Sequence, residues 1–209
     1  MENNIKKQIK EVELKEIARN MKQGKVAVFP TETVYGIGTN GLDENAIKKL
    51  YDIKQRPLSK PISLLVSSIE MINFVAKDIT KIEYSLIKKF FPGPLTIILK
   101  KKDIVPNILT ANSDTVGIRM PANVEALTLI EYAGVPIATS SANISGEPSG
   151  INIKKVKKDF EGKVDYFIDG GESKIGFGST VVQVIDGIPH ILRQGSITKE
   201  QIEAVCGKA

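Results

Sequence analysis

The chain has 209 residues, 42% of them apolar, and a formal net charge of +5. This length suits one well-buried core and is short for two ordinary enzyme domains, so we expect a single domain over residues 1–209. The N-terminal segment lacks an apolar signal region and the longest apolar runs have strand length, so we expect a cytoplasmic protein that does not span a membrane. The single cysteine, Cys206, excludes an intramolecular disulfide and a cysteine-built zinc site.

Lysine carries most of the positive charge. A lysine-rich solvated surface explains the net charge more simply than a dedicated nucleic-acid face. Only four of the 29 basic residues are arginines, namely Arg19, Arg56, Arg119 and Arg193. A guanidinium binds carboxylate or phosphate through two bonds, which an ammonium does not do. Arg19 lies on the first predicted helix as a surface residue, whereas the other three fall at strand ends or in loops.

Hydrophobic periodicity predicts helices and strands that alternate along the chain. Predicted helices cover 9–23, 43–53, a short segment after Ser67, 81–91, 123–134, 152–160 and the segment after Thr198. Predicted strands cover 26–29, 62–66, 95–99, 115–120, 135–138, 166–168, 180–185 and 189–193. Capping boxes are predicted at Ser67 with Glu70 and at Thr80 with Glu83. TETVYGIG is interpreted as a loop, and Asp186-Gly187 predicts a hairpin turn, which makes the sheet of this α/β protein mixed.

The sequence lacks the residues that several common catalytic mechanisms require. The only histidine, His190, lies in a predicted hairpin strand without a G-x-S-x-G elbow, which favours a structural role over a catalytic triad. Cys206 lies in the terminal helix without an identifiable base, which argues against a thiol nucleophile. Neither a P-loop nor a dinucleotide-binding fingerprint is present. An enzyme built from these residues has to act by positioning and charge stabilisation.

Four polar loops follow or precede predicted strands. They contain FPTETVYG, SDTVGIR, TSSAN and FGST, and each supplies hydroxyl or backbone N–H donors beside small residues. One such loop is an ordinary turn. Four of them, together with three arginines and the cationic stretch KQRPLSKP, favour a cleft that binds an anion. Transfer at phosphorus suits such a site because it needs oriented cations and donors more than covalent catalysis.

Seven motifs occur together in a fixed order. They are FPTETVYGIG, KQRP, FPGPLTIIL, DTVGIRMP, SSANISG, GSTVV and ILRQG, spread over residues 25–195. Each motif is weak alone, but the ordered set resembles the YrdC-like family. The resemblance implies a twisted, mixed, open sheet flanked by helices around a deep cationic cavity.

The resemblance also implies a nucleotidyltransferase reaction. L-threonine, bicarbonate and ATP would give threonylcarbamoyl-AMP and pyrophosphate, with Mg²⁺ accompanying the polyphosphate. The product would feed threonylcarbamoyladenosine formation in tRNA through separate threonylcarbamoyl-transfer proteins. Direct contact of this chain with RNA stays open as a secondary property.

Site residues follow from the same resemblance, motif by motif. Lys54 and Arg56 would face the nucleotide phosphates as the catalytic cations. Other ATP-binding positions would be Lys60, Thr115, Ser141, Asn143, Ser149 and Arg193. Threonine-binding positions would be Thr33, Leu65 through its backbone, Thr139, Ser179 and Arg119, whose guanidinium would clamp the carboxylate. No metal-ligating residue is implied.

Two residues depart from the family pattern. Gln55 stands where a glycine or small residue is common, and Leu65 where a histidine is common. The chain stops soon after ILRQG, whereas members with a second, C-terminal domain continue, so we expect the single-domain form or the first domain of a longer protein.

Two alternatives belong to other classes. The first is a module that binds RNA and catalyses no reaction. It lacks support because no RRM or KH signature is present and aromatic residues are not interleaved with the basic runs. The second is a paralogue with a different activity. It is weakened because the Lys54-x-Arg56 pair and the run from Ser141 to Asn143 are both present.

Overall fold

A computed structural model describes the backbone of residues 2–206 and the side chains from residue 11 onward. Its centre is a nine-stranded sheet. The strands are β1 (Ala27–Phe29), β2 (Gly36–Asn40), β3 (Ser63–Leu65), β4 (Leu95–Lys100), β5 (Thr115–Arg119), β6 (Ile137–Ser141), β7 (Tyr166–Phe167), β8 (Thr180–Ile185) and β9 (Ile188–Arg193).

The spatial order of the strands is β7-β1-β2-β6-β3-β5-β4-β8-β9. Three neighbouring pairs are parallel, namely β1 with β7, β3 with β5 and β4 with β8. The other pairs are antiparallel, including the β8–β9 hairpin. Asp186 and Gly187 at its turn both have positive φ, as a two-residue hairpin turn of this kind requires. The predicted mixed α/β sheet is confirmed.

Seven helices are described in residues 2–206. They are α1 (Glu2–Lys22), α2 (Glu44–Ile53), α3 (Ile69–Val75), α4 (Lys81–Phe90), α5 (Val124–Ala133), α6 (Ile153–Phe160) and α7 (Lys199–Cys206). None of the helices in this part of the chain is long and apolar enough to cross a bilayer.

Helices cover both faces of the sheet because strand side chains alternate between the faces. On one face, Ala27 and Phe29 of β1 pack with the apolar stripes of α1 and α5. On the other face, Val28 and the central strands pack with α2, α4 and α7. Burial of apolar surface in two layers fixes which side of each strand points to the core. The polar loops are therefore left at the strand ends.

Helix starts follow local sequence chemistry. The carboxylate of Asp43 accepts from the backbone of Asn45 and Ala46, and Asn123 caps α5 through the N–H of Ala126. Thr80 and Glu83 form the predicted capping box of α4. The predicted box at Ser67 is wrong by one residue, because Ser68 caps α3 and accepts from the backbone of Met71. Each cap satisfies N–H groups that lack a partner within the helix.

One strand was not predicted. The sequence GIGTN of β2 carries two glycines and was interpreted as part of a loop, yet it pairs with β1 on one side and β6 on the other. A Cβ on Gly38 would lie 2.6 Å from the hydroxyl oxygen of Thr139 and 2.7 Å from the carbonyl oxygen of Ala138. Glycine is therefore required for β2 and β6 to approach this closely.

Candidate functional site

A cavity of about 470 Å³ opens where the loops after β1 and β6 meet β5 and the start of β8. Three of the four arginines, Arg56, Arg119 and Arg193, lie on its wall. Most other polar wall residues carry hydroxyl groups: Thr31, Thr33, Ser63, Thr96, Thr139, Ser140, Ser141, Ser149 and Ser179. Of the residues that the structure describes, no aspartate or glutamate belongs to the wall of this cavity. The wall therefore suits an anion with several oxygens.

Arg119 ends β5 and is the most deeply buried of the three arginines. Its Nε donates to the carbonyl oxygen of Gly93 at 3.2 Å. Its Nη2 lies 2.8 Å from Oε1 of Glu32. The angle of this contact leaves Nη2 and both Glu32 oxygens without an aligned hydrogen bond, so the pair is held by charge. Burial lowers the pKa of Arg119, and the adjacent Glu32 carboxylate opposes that effect.

Ser179 joins two regions of the cavity wall. Its hydroxyl lies 2.7 Å from that of Thr96 and accepts from Nη2 of Arg193 at 3.1 Å. Nε of Arg193 donates to the backbone oxygen of Ser179 at 3.0 Å. The predicted threonine-binding Ser179 and the predicted ATP-binding Arg193 are therefore direct neighbours.

The loop between β1 and β2 presents its threonines to the cavity. The hydroxyls of Thr31 and Thr33 are 2.9 Å apart, and Thr31 donates to the carbonyl oxygen of Val34. A neighbouring loop fixes this turn, because the backbone N–H groups of Ile175 and Gly176 donate to the carbonyl oxygens of residues 32 and 33. The loop is thus held in place by main-chain bonds rather than by packing alone.

Arg56 folds the KQRPLSKP segment onto itself. Its Nε and Nη2 donate to the carbonyl oxygens of Lys60 and Pro61 at 3.0 and 2.8 Å. One planar edge of the guanidinium thus binds two backbone oxygens of its own loop. The guanidinium nevertheless remains part of the cavity wall, where its charge is presented to an anion.

Gln55 adopts φ = 50°, in the left-handed region that disfavours residues with a Cβ. This conformation suits glycine, the residue that the sequence resemblance leads us to expect at this position. Gln55→Gly is expected to raise the free energy of unfolding by about 0.5–1 kcal/mol, because relief of strain exceeds the added flexibility of the unfolded chain. Urea denaturation checks this, with Gln55→Ala as the matched control. An equal gain in the alanine variant would show that strain is not the cause.

Lys54 does not lie on the cavity wall. Its side chain is buried, and Nζ donates to the carbonyl oxygens of Ser141 and Asn143 at 2.5 and 2.7 Å. Nζ also lies 5.9 Å from the centre of the Phe160 ring. Lys54 thus ties the end of α2 to the end of β6 and the loop after it, directly behind wall residue Ser141. A role of Lys54 toward the phosphates stays a prediction. Burial, and after it the charge of Arg56, lower the pKa of Lys54 to about 7.

The pKa of Lys54 makes stability depend on pH. Between about pH 7 and pH 10 the unfolded chain holds this proton and the folded protein does not, so the free energy of unfolding rises with pH in that window. A neutral amine keeps two N–H groups, enough for its two carbonyl acceptors. Unfolding of the wild type and Lys54→Met at pH 6, 7.5 and 9 should show a difference that grows in favour of the wild type. Lys60→Met, at an exposed lysine, is the control, and a constant difference for Lys54→Met would contradict the expectation.

Nine predicted site residues meet on the cavity wall. They are Thr33, Arg56, Leu65, Arg119, Thr139, Ser141, Ser149, Ser179 and Arg193. Lys60, Thr115 and Asn143, like Lys54, are not on the wall. Thr115 begins β5 and shares a hydrogen bond with the Ser113 hydroxyl, while the side-chain amide of Asn143 donates to the carbonyl oxygens of Ile144 and Glu147.

Sequence reasoning missed the residues that support this set. Thr31, Thr96, Ser140 and Phe177 line the cavity, and Glu32 pairs with Arg119. Glu32 and Thr96 lie inside the quoted motifs FPTETVYGIG and FPGPLTIIL, so their place in a motif was the available signal. His190, by contrast, lies exposed on β9 and is not part of the wall.

The sequence and the fold both match known proteins. A family model for Sua5, YciO and YrdC proteins, described as "Telomere recombination", matches residues 19–195. Threonylcarbamoyl-AMP synthase of Pyrococcus abyssi is 44% identical over 205 residues, covering 98% of this chain and 60% of the relative. The Bacillus subtilis protein of the same name is 42% identical, covering 93% of this chain and 57% of the relative.

A solved structure shares the fold. The crystal structure of P. abyssi Sua5 in complex with L-threonine superposes with a TM-score of 0.92 at 45% identity, over 94% of this chain and 58% of that protein. The chain thus spans somewhat less than two thirds of the length of these relatives. Because the family model covers most of the chain, this protein belongs to the Sua5/YciO/YrdC family.

Proposed function

We propose that this protein is a threonylcarbamoyl-AMP synthase that converts L-threonine, bicarbonate and ATP into threonylcarbamoyl-AMP and pyrophosphate. One observation carries the proposal: three of the four arginines converge on one hydroxyl-lined cavity, in a chain 45% identical to a protein crystallised with L-threonine. Two curated relatives above 40% identity have the name of this activity. The product would pass in the cytoplasm to separate proteins that transfer the threonylcarbamoyl group to tRNA.

Arg119 is the proposed site of the threonine carboxylate. It is buried, and a carboxylate that reaches it is shielded from water, which strengthens a charge-assisted bond. Thr33, Thr139 and Ser179 on the same wall supply hydroxyls for the polar groups of the amino acid. Leu65 contributes to the wall between β3 and β5.

The triphosphate is proposed to lie toward Arg56 and Arg193. Both line the cavity, and both use part of the guanidinium to bind backbone oxygens, that of Pro61 for Arg56 and that of Ser179 for Arg193. Partial burial, and after it the positive charges of Arg119 and Arg56, lower the pKa of Arg193. The three arginines thus contribute to one positive electrostatic field in the cavity. Such a field stabilises the negative charge of a polyphosphate and of its transition state.

The proposed reaction proceeds in two steps. The amine of threonine attacks the carbon of bicarbonate, and loss of water gives a carbamate. A carbamate oxygen then forms a bond to the α-phosphorus of ATP while the bond from that phosphorus to the bridging oxygen breaks, and pyrophosphate leaves. No residue of the chain becomes covalently bound, so the wall acts by positioning and charge stabilisation.

The described part of the chain offers no preformed protein site for Mg²⁺. No cluster of three histidine, cysteine or acidic side chains occurs among the described residues, and the cavity wall carries no carboxylate. These residues do not fit a protein-bound magnesium ion, since Mg²⁺ prefers oxygen ligands that include carboxylates. Any Mg²⁺ would enter bound to the phosphates of ATP.

The activity is tested with purified protein, ATP, L-threonine and bicarbonate. We expect pyrophosphate release together with a product of the mass of threonylcarbamoyl-AMP, and both should disappear when any one substrate is omitted. Replacement of L-threonine by L-alanine tests whether the hydroxyl contributes to recognition. Pyrophosphate release that does not depend on both L-threonine and bicarbonate would overturn the proposal.

A further inference from the structure

We propose that Glu32 is the positioning residue of the carboxylate site: its charge holds the guanidinium of Arg119 in the orientation that leaves Nη1 for a bound carboxylate. The inference rests on the proposed function for the identity of that carboxylate. Nothing in the sequence beyond the motif FPTETVYGIG distinguishes Glu32, and its partner lies on β5, far along the chain.

Contacts at two points restrain the Arg119 guanidinium. Nε is bound to the carbonyl oxygen of Gly93, and Nη2 lies 2.8 Å from the Glu32 carboxylate. The side chains of Arg119 and Glu32 are 9% and 10% exposed, so water competes little with either contact. Nη1 has no hydrogen-bond partner among the described residues. A planar group fixed at two of its three nitrogens presents the third in a defined direction.

Glu32 itself lies behind the cavity rather than on its wall. Its neighbours Thr31 and Thr33 line the cavity, whereas Glu32 does not, and its carboxylate oxygens are fully buried. The N–H of Ile175 donates to its backbone oxygen, which fixes the start of the side chain. A ligand in the cavity therefore meets Arg119 and not Glu32, which argues for an action through the arginine.

Charge explains why a carboxylate suits this position. An arginine buried without a counter-ion would be strongly disfavoured in the empty site. A neutral acceptor would satisfy N–H groups without compensating the charge, and the contact observed is ionic rather than an aligned hydrogen bond. Glu32→Gln, which keeps shape and removes charge, therefore separates the two effects.

The first experiment uses NMR to measure how freely the Arg119 guanidinium rotates. The chain has four arginines, so ¹⁵N-labelled side-chain signals are few and can be assigned with Arg119→Lys. In the wild type without ligands, rotation about the Nε–Cζ bond of Arg119 should be slow and its Nη groups should give separate signals. In Glu32→Gln these signals should merge, and in Glu32→Asp, which retains the charge, they should stay at least partly resolved. Signals that remain separate in Glu32→Gln would overturn the proposal.

The second experiment uses calorimetry to measure how strongly the protein recognises the ligand carboxylate. The ratio of the Kd of L-threoninamide to that of L-threonine measures how well the protein recognises the carboxylate. We expect Glu32→Gln to reduce this ratio at least tenfold and Glu32→Asp to restore part of it, with the KM for ATP changed less than threefold. If Glu32→Gln lowers the melting temperature but keeps the wild-type ratio of the two Kd values, the role of Glu32 is merely structural. Tighter binding of L-threonine by Glu32→Gln would show that Glu32 competes with the ligand carboxylate for Arg119. Either result overturns the proposal.

The two experiments separate this inference from the proposed function. If the wild type binds no L-threonine, the proposed function fails, while the NMR comparison still decides whether Glu32 orients Arg119. If the wild type binds L-threonine and Glu32→Gln keeps both the resolved signals and the ratio, the function stands and the positioning role fails.

Discussion

Arg119→Ala is expected to reduce kcat/KM for L-threonine by about 30- to 900-fold, which corresponds to about 2–4 kcal/mol. The physical reason is the loss of a charge-assisted contact from a water-poor wall that offers the carboxylate no other cation as deeply buried. The KM for ATP should change much less. Steady-state kinetics with each substrate varied in turn measures both effects. An equal loss toward both substrates would contradict the assignment of Arg119 to the threonine side.

The same substitution should also destabilise the protein by about 3–5 kcal/mol, because it leaves Glu32 buried without its cation. The matched control is the double variant Arg119→Ala with Glu32→Gln, which removes both charges. It should unfold at a higher urea concentration than the single variant. A double variant as unstable as Arg119→Ala would show that the unpaired carboxylate is not the cause.

Arg56→Ala is expected to impair the use of ATP by a similar factor, about 2–4 kcal/mol in kcat/KM, with a smaller effect on L-threonine. Two losses combine here, since the variant removes a cation from the cavity and releases the loop carbonyls of Lys60 and Pro61. The measurement is initial rates of pyrophosphate release over a range of ATP concentrations at saturating L-threonine and bicarbonate.

Arg56→Lys is the informative control for this prediction. Lysine keeps the positive charge but cannot donate to both backbone oxygens from one planar edge. We therefore expect this variant to lose most of the activity that the alanine variant loses. Full activity in Arg56→Lys would show that charge alone suffices.

Lys60→Ala, at an exposed neighbour of Arg56, should have nearly the stability of the wild type. The reason is that the backbone oxygen of Lys60, and not its side chain, accepts from Arg56.

Local chemistry made much of the fold predictable. The caps Asp43, Thr80 and Asn123 and the turn at Asp186-Gly187 act within a few residues, so sequence spacing reveals them. Strand β2 was not predictable in this way, because glycine-containing GIGTN has no apolar alternation and becomes a strand through its neighbours on both sides. The cap of α3 was misplaced because two adjacent serines, Ser67 and Ser68, both suit the role.

The candidate site was predictable as a set of residues but not as a set of contacts. The motif order indicated Arg56, Arg119 and Ser179, and all three lie on the cavity wall. The burial of Lys54 was not predictable, because the carbonyl oxygens that bind it belong to the end of β6 and the loop after it, almost ninety positions along the chain. Charge in a sequence motif indicates an anion nearby, but backbone carbonyls satisfy an ammonium equally well.

The strand order also determines when the site forms during folding. Strand β4 lies beside β8, with Leu95 opposite Thr180, and the wall needs residues from the first strand loop, from β5 and from the start of β8. Closing such long chain segments has an entropic cost before any contact compensates it, so proteins with distant pairings fold slowly. Binding competence should therefore emerge during refolding only after these distant strand pairings have formed.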